Sequence, residues 1–171
     1  MAEAFRNLLL IALAAAALTT GALALAWWMQ PERRLRRAML KALGHATEAE
    51  AFAPHEGKAA ALDFDQGLLA VLWARGAHGL VYDFPEVEGG EIIVDGCVVA
   101  RIRRGEQRKA LDVMAPEAEQ VVLRLMFADA RNPEFELGLW NAAAPGVGGS
   151  SAEALRLGRR WLSHIEALLK A

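Results

Sequence analysis

The stretch that most constrains this chain runs from Leu8 to Met29, LLLIALAAAALTTGALALAWWM, 22 residues without a charge. At 1.5 Å rise per residue, about 20 apolar residues cross the hydrocarbon of a bilayer. A helix at the edge of a core would show a polar face, and this segment shows none. The sequence therefore predicts a transmembrane anchor over residues 1–30, with everything after it tethered. Trp27 and Trp28 stand where an interfacial aromatic belt would lie.

The flanks orient that expectation. Residues 31 to 44, PERRLRRAMLKALG, carry Arg33, Arg34, Arg36, Arg37 and Lys41 against the single carboxylate of Glu32. Positive charge beside a span tends to stay cytoplasmic. This predicts a single-pass protein of a bacterial inner membrane, with its carboxy-terminal domain in the cytoplasm. A cleaved signal peptide is the alternative, since Ala22-Leu23-Ala24 resembles a peptidase site. That reading would export the remainder to the periplasm. The apolar run is longer than a usual signal-peptide core, which favours the anchor.

About 140 residues remain beyond the apolar stretch, enough for one domain with a core. The formal net charge of the chain is -2. It therefore lacks the basic balance of a nucleic-acid-binding protein. A lone cysteine, Cys97, excludes a disulfide framework within the chain.

After Pro31, residues 31–50 read as a helix, with Leu35, Met39 and Leu43 on one face. A basic amphipathic helix beside a span suits a surface of anionic lipid head groups. Residues 31–58 are thus read as a juxtamembrane helix and a linker, AFAPHEGK. From residue 59 the pattern turns extended. Short apolar runs flank Asp65-Gln66-Gly67. Asp95-Gly96 separates two more, a strong hairpin signal because its turn needs positive φ twice. Val121–Phe127 reads as a strand, and residues 135–140 alternate as another. Ser150 and Glu153 match a capping box opening a last amphipathic helix with Trp161, Leu162 and Ile165 on its apolar face. The expected fold class is α+β: a small antiparallel bent sheet or open barrel of about seven strands, capped by the last helix.

Three motifs carry a resemblance. The order LDFDQGLLAVL, VYDFPEVEGGEIIVDG and VVLRLMFADARNPEFELGLW, followed by a Trp-containing helix, resembles uncharacterised bacterial pleckstrin-homology-like (PH-like) proteins. It covers about residues 60 to 170, nearly the whole chain after the linker, and places the expected domain over residues 59–171. The resemblance implies a PH-like domain that binds or scaffolds, with no catalytic residues. The loop Gly105–Gln120 departs from those relatives in being charged.

Constellations with chemistry are sparse. The four histidines lack any metal-ligand spacing, and no phosphate loop or nucleophile elbow is present. The sequence therefore points to no enzyme, cofactor or metal. Arg101, Arg103, Arg104, Arg108 and Lys109 form a candidate basic patch. Trp27, Trp28, Arg33, Arg34, Arg36, Arg37 and Lys41 are candidate membrane-surface contacts. The sequence thus predicts a membrane-tethered binding module whose partners are the lipid bilayer and a protein, with anionic lipid as an alternative ligand.

Overall fold

The structure is a computed structural model describing residues 6–7, 10, 13, 15–22, 30–106, 109–110, 118–144 and 149–170. Helix α1 (Pro31–Leu43) is followed by nine strands and, at the end, by helix α2 (Ser151–Lys170). Strands β1 (Ala49–Ala53), β2 (Lys58–Asp63), β3 (Leu68–Trp73) and β4 (His78–Asp83) form a four-stranded antiparallel meander. A second antiparallel sheet contains β5 (Val87–Val94), β6 (Cys97–Arg103), β7 (Lys109–Ala110), β8 (Gln120–Phe127) and β9 (Glu134–Asn141). Its order is β7-β6-β5-β8-β9.

This corrects the expectation of about seven strands in one bent sheet. The chain makes two sheets because β8 pairs with the free side of β5 instead of continuing beyond β7. A further strand, β1, occupies residues expected to be helix and linker.

The anchor is corrected as well. Among the described residues, no helix is long and apolar enough to cross a membrane. Residues 23–29, with Trp27 and Trp28, and several residues of 8–14 lie outside the described residues. The single-pass inner-membrane placement, and the cytoplasmic side deduced from it, lose their basis.

Helix α1 is built as its sequence dictates. Pro31 starts it, Glu32 lies at its positive end, and Gly44 closes it at φ +83° with its N–H on Leu40 O at 2.8 Å. Its stripe of Leu35, Met39 and Leu43 is buried, but not against lipid. It packs on Ala59, Ala61, Ala70 and Leu72, the outer face of the first sheet. Alanine at three of those four positions brings helix and sheet close together. The expected membrane-facing stripe is therefore occupied inside the fold. His45, just beyond α1, places Nε2 3.1 Å from Oδ2 of the fully buried Asp63 at the end of β2. That oxygen has no hydrogen bond among the described residues. Asp63 Oδ1 accepts the N–H of Gln66 at 3.0 Å and shapes the β2–β3 turn.

The opposite face of the first sheet contributes Ala60, Leu62, Leu69, Val71 and Tyr82 to the main core. Ile92, Leu123, Leu125, Phe127 and Leu137 enter from the second sheet, and Trp161, Leu162 and Ile165 from α2. Helix α2 lies directly on β5. A side chain at Gly90 would meet Ile165 Cδ1 at 2.7 Å, so glycine is what lets the helix approach. The capping box is present: Ser150 N–H donates to Glu153 Oε2 at 3.1 Å and Glu153 N–H to Ser150 Oγ at 3.3 Å. Asp95 and Gly96 take φ +48° and +79° between β5 and β6, the two positive values that turn requires.

Candidate binding groove

The two sheets have four outer edges, and their fates differ. Strands β1 and β2 run alongside β9. The turn between β1 and β2 then caps β9 with side chains. Lys58 Nζ donates to Glu136 O at 2.9 Å, and Gly138 N–H donates to Glu56 Oε2 at 3.3 Å. Lys58 and Glu56 are paired at 3.2 Å. These are the backbone groups a further strand would need, and charged side chains hold them. Strand β7 is two residues long. Strand β4 is different: it ends the first sheet, and His78, Gly79, Val81 and Asp83 are exposed. Val81 is 46% exposed.

A groove of about 280 Å³ opens beside this edge. Val71 and Trp73 of β3, Leu80 and Tyr82 of β4, Phe127 of β8 and Phe135 of β9 line it, with Lys58, Asn132, Glu134 and Glu136 around them. The Tyr82 and Phe127 rings stack at 4.0 Å between centroids, 13° from parallel. Tyr82 Oη donates to Asp129 Oδ2 at 3.2 Å. Burial, reinforced by that hydrogen bond and the carboxylate charge, pushes the phenol up to about 12. Tyr82 is thus a fixed, neutral floor. Asp129 is held below the usual carboxylate range, first by the backbone N–H of Arg131 and then by the Asn132 side chain.

On the face of the second sheet opposite Phe135, Arg124 of β8 gathers carboxylates. Arg124 meets Glu136 at 2.6 Å, Glu91 at 3.1 Å and Glu134 at 3.5 Å. Arg103 reaches Glu91 only at 3.7 Å. The hydrogen bond to Glu136 raises the Arg124 guanidinium further above its ordinary value. One guanidinium is shared by three carboxylates, and Glu134, 57% exposed, is the most solvated of them.

The residues expected to make sites do not converge. Arg101 pairs with Glu106 at 3.4 Å and Arg103 with Glu91. Arg104 pairs with Glu88 at 3.2 Å and also donates to the carbonyls of Pro85 and Val87, which makes it a structural tie. Lys109 lies in β7 opposite Arg101, and Arg108 lies outside the described residues. On α1, Arg36 meets Glu50 at 3.2 Å and lies over the Phe52 ring. Arg33 donates to the Gln30 side chain and Arg37 to the Arg33 carbonyl. Arg34 and Lys41 are exposed on the same helix. Cys97 is exposed at the start of β6.

No group of three metal-ligating side chains occurs among the described residues. No family model, curated protein or solved structure matches the chain. The PH-like resemblance therefore has no support from known relatives. Sequence reasoning missed the groove because its residues come from five strands, β2, β3, β4, β8 and β9, and no local spacing brings them together. The one signal within reach was the exposed Val81 between Leu80 and Tyr82, in a strand apolar on both faces.

Proposed function

We propose that this chain is a binding module, not an enzyme, and that it takes an extended segment of a protein partner along β4. The observation carrying this reading is the contrast between edges: β9 is closed by Lys58 and Glu56, while β4 stays exposed beside an apolar groove. An incoming strand would hydrogen-bond to the β4 backbone, and its alternate side chains would enter the groove. Anionic lipid is the weaker reading. The apolar stripe of α1 is buried, and Arg101, Arg103 and Arg104 each have a carboxylate beside them.

The test starts from a displayed library of extended peptides, each about eight residues long, selected on the full chain. Selected peptides should slow amide exchange across His78–Asp83, and Val81→Lys should abolish their binding. Lysine on an exposed edge blocks pairing without disturbing the core. Peptides that bind without protecting β4, and that tolerate Val81→Lys, would overturn the proposal.

A further inference from the structure

We infer that Glu86 sets where a partner strand stops on β4, so that the segment taken is short and centred on one apolar side chain. This rests on the β4 reading above and deepens it. The direction of the backbone groups carries the argument. In an antiparallel pair, alternate residues turn both N–H and C=O to the neighbouring strand, and the residues between them turn both away. Phe84 N–H donates to Gly67 O at 2.9 Å, one step beyond the pairing of Asp83 with Leu68. Tyr82, Leu80 and His78 share that direction and face β3. Gly79, Val81 and Asp83 therefore turn their backbone groups to the open edge. The N–H of Asp83 is already taken. It donates to Glu86 Oε2 at 2.8 Å, within a capping box over the turn Phe84–Glu86.

An incoming strand thus meets N–H and C=O together at Gly79 and Val81, but only the carbonyl at Asp83. A residue placed opposite Asp83 would aim its own carbonyl at the Glu86 carboxylate, acceptor against acceptor, and leave that carbonyl without a hydrogen bond. Full pairing therefore ends at Val81. Glu56 does the same to Gly138 N–H on β9. Leu80 lies between the two anchoring residues, and a side chain opposite it projects to the face that Leu80 itself occupies. That face is the groove, which Leu80 and Tyr82 line. Val81 and Gly79 belong to the other face, since their partners Ala70 and Leu72 pack with α1. The partner residue that meets Leu80 is then the one that enters among Trp73, Tyr82, Phe127 and Phe135, and those rings suit an apolar side chain.

Amide exchange resolved by residue, on the full chain with the selected peptides, provides the test. Binding should slow Gly79 and Val81 and add nothing at Asp83. In Glu86→Ala the Asp83 amide should exchange faster in the free protein and become protected when peptide binds, with affinity raised about fivefold by the hydrogen bond gained. Glu86→Gln removes the charge but keeps an acceptor for Asp83 N–H, so it should bind like the unaltered chain. Glu86 is exposed, so both variants keep the fold, and thermal unfolding verifies this. Alanine in place of the central apolar residue of a peptide should weaken binding about tenfold. Peptides that protect Gly79 and Val81 but gain neither affinity nor Asp83 protection in Glu86→Ala would overturn the stop at Glu86 and leave the edge reading standing. Selected peptides that protect neither Gly79 nor Val81 would overturn the edge reading itself.

Discussion

Leu35 decides whether α1 is a structural part of the fold or an appendage. It is fully buried in the seam between α1 and the first sheet. Its neighbours there include Ala59, Ala61 and Ala70, whose side chains cannot extend to fill a gap. Leu35→Ala thus loses the transfer energy of the removed carbons and leaves most of the cavity open. The expected cost is about 3–4 kcal/mol, the upper part of the range for such truncations. Leu40 lies on the same helix but is 47% exposed. Leu40→Ala changes helix propensity hardly at all and should cost at most about 0.5 kcal/mol. Urea unfolding of the full chain, followed by tryptophan fluorescence, measures both. With a slope of about 2 kcal/mol per molar, Leu35→Ala should lower the midpoint by about 1.5–2 M. Equal, small shifts for the two variants would refute the docking of α1 on the sheet.

Ala74 and Arg75 sit at φ +51° and +58° in the β3–β4 turn, a left-handed conformation that costs a non-glycine residue about 1–2 kcal/mol. Ala74→Gly relieves that strain, less about 0.5–1 kcal/mol of unfolded-state entropy, and should raise stability by about 0.5–1 kcal/mol in the same urea assay. Gly76→Ala should do the reverse, because φ is +78° and the added carbon would fall 2.6 Å from Ala38 Cβ on α1. Tyr82 is the only tyrosine, so ultraviolet absorbance of the phenolate reports it alone, and its midpoint should lie near pH 12. Because the folded phenol holds its proton more tightly than the unfolded one, its contribution is complete below about pH 10 and is lost as pH rises towards 12. Asp129→Asn should lower that midpoint but leave it above 10, since burial is the largest cause.

Local features were legible in the sequence wherever chemistry is local. The Asp95-Gly96 turn, the Ser150–Glu153 cap and the Val121–Phe127 strand each depend on residues within a few positions of one another. What failed was the question of what a face is packed against. Leu35, Met39 and Leu43 declared a buried stripe, but periodicity is the same for a stripe covered by lipid and one covered by a sheet. Strand β1, AEAFA, was hidden because alanine and glutamate favour helices in isolation. Here the small side chains of β1 serve close packing in the main core, a tertiary demand that local propensity does not encode. The groove is wholly a product of the tertiary fold, joining Lys58 to Phe135 across most of the domain.

The closure of β9 by Lys58 and Glu56 has a consequence for stoichiometry. A sheet with two open edges can grow at both, as fibrils do, and one strand added becomes the template for the next. In this chain the first sheet meets β9 on its β1 side, and the β9 backbone groups Glu136 O and Gly138 N–H are held by side chains. Among the described residues, the edge of the first sheet left for growth is β4. Docking along the sheets is therefore one-sided: a partner strand enters at β4, and the β1 side, turned against β9, offers it no second place.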